Sequence, residues 1–124
     1  MTELRQMIQT HLLTLHPRVY FQVAPEDAVY PYLTFDIPDI FDDGEWFKRA
    51  TVDVDGWDLP TNADTSSLET LMNTVRDGLN KYTITSATAG VSLFLSSMHA
   101  MQEDDKRIKR RKYIFEAHLF ERSN

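Results

Sequence analysis

Apolar residues recur with helical spacing in two segments of the chain. In residues 2–15 and in residues 66–82, their intervals place them on one face of a helix. The first stripe is Leu4, Met7, Ile8, Leu12 and Leu15, and the second is Leu68, Leu71, Met72, Val75, Leu79 and Tyr82. Pro17 should end the first helix, because the residue before a proline avoids the helical region. Ser66 and Glu69 have the spacing of a capping box and should begin the second helix.

Five other segments are rich in β-branched and aromatic residues and predict strands. They cover residues 18–23, 32–37, 47–57, 91–101 and 108–120, with a hairpin tip at 102–105 and a polar connection at 83–90. Pro38 limits the second strand to an edge or a bulge, and Gly56 indicates a bulge in the third. Apolar positions 50, 52 and 54 of the third strand alternate with polar positions 51, 53 and 55. One face of that strand should therefore be buried and the other wet.

The order of these elements, α-β-β-β-α-β-β, predicts an α+β fold. Strands that follow one another along a chain usually pair as neighbours. We therefore expect a mainly antiparallel sheet of about five strands, with two amphipathic helices packed on one face. The length of 124 residues fits a single domain, residues 1–124.

The composition narrows the classes of function. The 13 basic and 19 acidic residues give a net charge of −6, which argues against specific binding of nucleic acid. The chain has no cysteine, which excludes a zinc–thiolate site and a thiol nucleophile, and synthesis in the cytoplasm is the default. No apolar run approaches the roughly 20 residues needed to cross a bilayer, so no membrane role is expected.

Residues 106–112, the basic segment, hold six of the thirteen basic residues. In a strand their charges would alternate between both faces, and neither face could then be buried. We expect the segment to project beyond the sheet, with Tyr113 near the start of the core. It could dock an acidic partner surface, it could be a solvated hairpin edge that prevents aggregation, or it could contact nucleic acid.

Residues 36–45, the acidic segment, mix five carboxylates with apolar residues. The apolar side chains could fold back onto the domain, or they could form an apolar contact patch rimmed by charge. We predict protein-interaction residues in both segments. They are Asp39, Phe41, Asp42, Asp43, Glu45, Trp46, Lys106, Arg107, Lys109, Arg110, Arg111 and Lys112.

Residues with catalytic or metal-binding chemistry are scattered along the chain. Asp53 and Asp55 share one strand face and could hold a divalent metal, but solvent-facing alternation explains them as well. The Asp-rich part of the acidic segment lacks the ligand spacing of an EF-hand. The four histidines have no metal-site spacing, and the serines lack a nucleophile elbow. We predict no catalytic residue, no metal and no cofactor.

Three segments together resemble the tail-terminator, or tail-to-head joining, proteins of long-tailed bacteriophages. They are Arg18-Val19-Tyr20, Tyr30-Pro31-Tyr32-Leu33-Thr34-Phe35 and Val52-Asp53-Val54-Asp55-Gly56-Trp57. The resemblance extends over almost the whole chain, from the N-terminal helix to the charged hairpin. The long basic segment is not typical of the family.

The resemblance implies a structural virion protein with no enzymatic activity. It implies a subunit that forms a hexameric ring in the virion and can be a monomer when free. The ring caps the tail tube and joins the tail to the head connector, so the expected partners are the tail tube protein and the head connector or stopper protein. The location implied is the head–tail interface of the virion.

The two charged segments fit such a ring. A ring needs a heterologous interface, in which one patch meets a different patch on the neighbour. The segments could meet across subunits, or they could point at the tube and the connector. Charge reversal at Arg110 and Arg111 should then impair ring formation or tail joining.

Other functions remain open at this stage. The chain could be a different neck or tail-completion component. It could be a small ligand-binding or regulatory α+β domain without a viral role, which would need a concave apolar pocket. It could also be a metal-dependent hydrolase that uses Asp53 and Asp55.

Overall fold

The computed structural model describes residues 2–42 and 47–121. Its two α-helices are α1 (Thr2–Leu15) and α2 (Ser66–Leu79), and a short 3-10 turn, Thr61–Ala63, precedes α2. Its strands are β1 (Val19–Phe21), β2 (Tyr32–Phe41), β3 (Lys48–Asp58), β4 (Tyr82–Thr85), β5 (Ala89–Met101) and β6 (Lys109–Glu121). The α+β class and both predicted helices are confirmed.

The strands form one mixed sheet in the order β1-β2-β3-β6-β5-β4. Five strands were expected, and the sixth, β4, lies in the stretch predicted as a polar connection. That strand has only four residues at the sheet edge, too few to give a clear alternating pattern. The β1–β2 pair is parallel, whereas every other pair is antiparallel. Because β1 and β2 are parallel, residues 22–31 must return the chain from the end of β1 to the start of β2. A tight hairpin turn joins only antiparallel strands.

Both helices pack on one face of the sheet, as the apolar stripes predict. Alternate residues of the central strands, among them Val52, Val54 and Phe115, are buried in one core cluster with the helix stripes. His11 joins the helices, because its Nε2 lies 2.8 Å from the carbonyl oxygen of Gly78. Among the described residues, no helix or strand covers the opposite face, here called the helix-free face.

Two backbone features of the central strands were predicted with different success. The register of β2 against β3 shifts between Asp36 and Asp39, which confirms a bulge around Pro38. The bulge expected at Gly56 is wrong, because Gly56 pairs in regular register on both sides. This glycine instead allows α2 to approach the sheet: a Cβ atom there would lie 2.5 Å from Sδ of Met72.

The predicted capping box at the start of α2 is also wrong. The carboxylate of Asp64 accepts hydrogen bonds from the backbone N–H and the hydroxyl of Ser66, at 2.9 and 2.6 Å. These bonds hold the pKa of Asp64 below its ordinary value. Glu69 forms an ion pair with Arg111 instead of reaching back to a cap. The helix ends at Leu79. Tyr82, predicted as the last residue of the helix stripe, belongs to β4 instead, and its ring stacks on His11.

Candidate interaction surfaces

The basic segment is part of the sheet from Lys109 onward, which corrects the expectation that it projects beyond it. Lys109 pairs with Asp58 of β3, and each following residue of β6 continues that register. Charges that alternate between the two faces of β6 are tolerated because acidic residues of β3, α2 and the hairpin neutralise them.

Arg110 lies at the centre of this neutralisation. Its Nε donates to Asp55 at 2.6 Å, its second guanidinium nitrogen donates to Glu103 at 2.8 Å, and the guanidinium lies 4.5 Å from the ring centroid of Trp57. Asp55 is only 5% exposed, so the expected wet face of β3 is closed at this position. Burial raises the pKa of Asp55, although the hydrogen bond from Arg110 opposes that rise. Arg110 therefore stabilises a buried carboxylate of its own chain.

The next two basic residues along β6 are also paired within the chain. Arg111 donates to Glu69 at 2.8 Å, and Nζ of Lys112 lies 3.8 Å from Asp53. These contacts link β6 to α2 and to β3. The charges of Arg111 and Lys112 are therefore largely compensated within the chain itself.

The tip of the β5–β6 hairpin carries charges of both signs, since Asp104 and Asp105 precede Lys106 and Arg107. Arg107 pairs with Asp105 at 2.8 Å, and this contact lowers the pKa of Asp105 to about 2. Lys109 donates to the backbone carbonyl of Lys106 at 3.1 Å. Within the described part of the chain, neither Lys106 nor Lys109 has a carboxylate partner. Lys106 is exposed and Lys109 is half-buried.

A groove of about 660 Å³ separates the hairpin tip from the loop at residues 59–63. Leu59 on one side is 43% exposed, and Asp105, Lys106 and Arg107 line the other side. We call this the loop–hairpin groove. Sequence reasoning missed the loop side, and the signal for it was an apolar residue, Leu59, between an aspartate and a proline.

The acidic segment is only partly available at the surface. Ile37 is buried and Ile40 packs against the core, so these two apolar side chains fold back onto the domain. Phe41 does not, since it is 57% exposed at the end of β2. Asp42 beside it is also exposed. The predicted contact residues Asp43, Glu45 and Trp46 lie outside the described residues.

Acidic side chains also crowd the helix-free face beside this segment. Asp36 lies directly opposite Asp53 in the register of β2 and β3. One buried oxygen of Asp53 and one of Asp39 have no hydrogen-bond partner. Burial raises the pKa of Asp53, and the nearby carboxylates raise it further, while Lys112 lowers it.

The two charged surfaces lie at opposite ends of the central strands. Phe41 pairs with Arg49 near the start of β3, whereas Lys109 pairs with Asp58 at its end. Nine residue-to-residue steps of extended chain lead from Arg49 to Asp58 along β3, which corresponds to roughly 30 Å. The groove of one chain therefore cannot contact Phe41 of the same chain.

The arrangement of Asp53 and Asp55 does not resemble a metal centre. Their carboxylates face the cations of Lys112 and Arg110. In the described ranges 2–42 and 47–121, no group of three His, Cys, Asp or Glu side chains is placed to hold a metal ion. None of the helices described there is long and apolar enough to span a membrane.

An aromatic cluster adjoins Arg110 and was not foreseen as a unit. Tyr32 contacts Tyr20, Tyr30 and Trp57, with ring centroids 5.1 to 6.1 Å apart. Burial raises the pKa of Tyr32 to about 12. The indole N–H of Trp57 donates to the Thr34 hydroxyl at 2.9 Å and so links β3 to β2 on the helix-free face.

Comparison with known proteins shows a shared fold. The sequence matches no protein-family model and no curated protein. Among solved structures, the chain is similar to a chain of the "Virion of native gene transfer agent (GTA) particle", with 17% sequence identity and a TM-score of 0.69. The match covers 95% of this chain and 91% of that chain. At this identity the likeness establishes the fold alone.

Proposed function

We propose that this protein is a structural virion protein of a phage-like particle, and that it caps the tail tube and joins the tail to the head connector. The observation that carries the proposal is the fold shared, over nearly the whole chain, with a chain of a gene transfer agent virion. The tail-terminator role itself comes from the resemblance of the three sequence segments. In this role the protein acts without catalysis, through contacts between whole proteins.

The distribution of charge supports an assembly role. A subunit within a ring presents two different patches to its two neighbours. Here two lysines without a carboxylate partner among the described residues lie at one end of β3, and the exposed ring of Phe41, with Asp42 and Arg49 beside it, lies at the other end. Two unlike surfaces on opposite ends of one subunit suit head-to-tail contacts or contacts with two different partners.

The hydrolase alternative has less support. It needs Asp53 and Asp55 to converge on a metal with further ligands. Both carboxylates instead face cationic side chains of β6. Each carboxylate therefore has a counter-charge within the sheet.

The proposed function is tested on tail tubes from the phage or prophage that encodes this chain, assembled without the protein. We expect electron microscopy to show ring-shaped density at tube ends after addition of the purified protein. We also expect tubes that carry a ring to stop elongating when more tube protein is supplied. An unrelated acidic protein of similar mass is the control. Bare ends and continued elongation at saturating protein would contradict the proposal.

A further inference from the structure

We propose that the free edge of β4 binds an extended segment of a partner protein, which adds a further strand to the sheet. The partner strand runs antiparallel to β4, its apolar side chains face α1, and one cationic side chain lies beside Glu3. The inference deepens the proposed function, on which it rests for its setting, because it specifies how another protein of the particle is held.

The backbone of β4 is paired on one side only. The N–H of Ser86 donates to the carbonyl oxygen of Ala89 at 2.8 Å, in register with the pairing of β4 and β5. Hydrogen-bonded positions alternate along an antiparallel pair, so the backbone groups of Thr83 and Thr85 point away from β5. β4 is the last strand of the sheet, and on that side neither threonine has a backbone partner in the described residues.

The other free edges of the described sheet are blocked. At β1, the side chain of Gln9 donates to the carbonyl oxygen of Val19 at 2.9 Å. Where β5 extends beyond β4, its register shifts between Leu95 and Ser97, and where β2 extends beyond β1, its register shifts around Pro38. Bulges and prolines discourage an edge from pairing with another chain. β4 has neither feature, so its edge is open to a partner strand.

A groove of about 370 Å³ lies beside this open edge, between β4 and α1. Ile84 and Thr85 line it on the strand side, and Met7 lines it on the helix side together with the uncharged polar residues Gln6 and Thr10. Main-chain hydrogen bonds hold an added strand, and pockets for its alternate side chains select its sequence. Met7 is buried and Ile84 packs against the core, so the partner residues that face α1 should be apolar.

Charged residues at the two ends of the groove specify the ends of the partner strand. The hydroxyls of Ser86 and Thr88 both donate to Oε1 of Glu3, and Oε2 has no partner in the part of the chain that the structure describes. These bonds lower the pKa of Glu3, so it stays ionised at neutral pH and favours a cation. Lys81, at the other end, is exposed, has no carboxylate partner among the described residues and favours an acidic residue. Opposite charges at the two ends set the direction of the bound strand.

A second copy of this chain fits the groove less well than a strand of another protein. Two identical edges pair about a two-fold axis, which places both helices on the same face of the joined sheet. The α1 of each copy would then lie over the β4 of the other copy. That space is already taken by the other copy's own α1, where His11 stacks on Tyr82. A partner strand that brings no helix to this face avoids the conflict.

A designed peptide tests the contact without the particle. Bound antiparallel to β4, the hexapeptide acetyl-KTVTVD-amide places its valines opposite Ile84 and Tyr82, its lysine opposite Ser86 and its aspartate opposite Lys81. We expect it to bind the purified protein and to slow amide hydrogen exchange at Thr83 and Thr85. The reversed peptide, acetyl-DVTVTK-amide, is the matched control, because in the same direction it exchanges the charges and turns the valines away from α1. Equal or tighter binding of the reversed peptide, or unchanged exchange at both threonines, would overturn the inference.

Two substitutions at one position test the backbone pairing. Thr85→Pro removes the outward N–H and leaves the pairing with β5 in place, since proline is tolerated on an edge strand where the N–H faces solvent. We expect it to weaken binding of acetyl-KTVTVD-amide about tenfold, through the lost hydrogen bond and the bulk of the ring. Thr85→Val keeps the N–H and should bind as the unaltered protein does. Equal affinities of the two variants, with both shown to be folded by circular dichroism, would contradict backbone pairing.

Glu3→Gln tests the charge at the end of the groove in a position outside the strand. The amide oxygen of glutamine can still accept from Ser86 and Thr88, so only the charge is lost. The variant should bind acetyl-KTVTVD-amide up to about fivefold more weakly, the range for an exposed ion pair. Unchanged affinity would remove the role given to Glu3.

The outcomes separate this inference from the proposed function. Rings at tube ends without peptide binding would overturn the β4 contact and leave the function standing. Peptide binding at β4 without rings at tube ends would support the contact and contradict the function. In assembled particles, Thr85→Pro should join tails to heads less often than Thr85→Val, and equal joining would show that the partner binds elsewhere. Dimers in solution that Thr85→Pro abolishes would make a second copy the occupant and so refute the inference.

Discussion

At the scale of single residues, the sheet brings like charges together at one position and opposite charges together at another. Asp53 lies opposite Asp36, and one of its buried oxygens has no hydrogen-bond partner. Arg110, in contrast, is held by two carboxylates and an indole ring. The first arrangement should reduce stability and the second should increase it.

We predict that Asp53→Asn stabilises the protein at neutral pH by about 0.2–1 kcal/mol, the range for one cross-strand pair. The folded state raises the pKa of Asp53, so it binds the proton more tightly than the unfolded state does. Stability therefore falls as pH rises through the raised pKa, and the penalty is fully present above it. The stabilisation by Asn should disappear below the ordinary aspartate pKa. Urea unfolding of both proteins across this pH range measures the difference.

Asp27→Asn is the control for this prediction, because Asp27 is exposed in the β1–β2 loop. It should change stability little at either end of the pH range. If Asp53→Asn instead destabilises the protein at neutral pH, the contact with Lys112 outweighs the repulsion from Asp36, and the prediction is wrong.

Arg110 also shows why charge reversal there is a poor test of docking. Removing one partner of a buried ion pair leaves the other charge uncompensated and is strongly destabilising. A variant at Arg110 would therefore lose folding as well as any contact. Lys106, which has no ion-pair partner in the described residues, separates the two effects.

At the scale of elements, the close approach of α2 to β3 depends on Gly56. We predict that Gly56→Ala destabilises the protein by about 1–3 kcal/mol, the usual effect of overpacking a core. The added methyl group would meet Sδ of Met72 and Cδ1 of Leu68, at 2.5 and 3.1 Å. Denaturant unfolding measures the change.

Gly90→Ala is the matched control for Gly56→Ala, because Gly90 is also in a strand and the nearest atom to an added Cβ lies 3.8 Å away. In a Met72→Ala background, Gly56→Ala should destabilise less, since the clashing side chain is then absent. An equal loss in both backgrounds would show that Met72 is not the cause.

At the scale of the whole molecule, unlike surfaces lie roughly 30 Å apart along β3. The net charge of −6 makes copies repel one another on average, so a contact between copies has to offset that repulsion. The sheet holds these two surfaces at a fixed distance from each other. Its order and register, which no local sequence pattern contains, set the distance between them.

We predict that self-association of the protein weakens as salt rises from about 0.1 to 0.5 M, because the Debye length shortens from about 10 Å to less than half of that. Sedimentation velocity at a fixed protein concentration measures this change. A Lys106→Glu variant, which lacks one exposed cation, should respond less than the unaltered protein. Association that strengthens with salt would indicate an apolar contact and contradict the role given to charge.

The sequence by itself determined the elements whose patterns are long and local. The bounds of α1, the apolar stripe of α2, the long central strands and the bulge around Pro38 all follow from periodicity and proline chemistry. The alternation along β3 likewise identified its buried face. These features depend on residues a few positions apart, and the sequence displays such spacing directly.

Only the tertiary structure decided how distant charges are used. Pairing of β6 with β3 brings Arg110 to Asp55, and the packing of α2 brings Glu69 to Arg111. The same contacts leave Lys106 uncompensated and place Phe41 at the other end of the sheet. Ion pairing depends on distance in space, and residues more than forty positions apart acquire that distance only when the sheet forms.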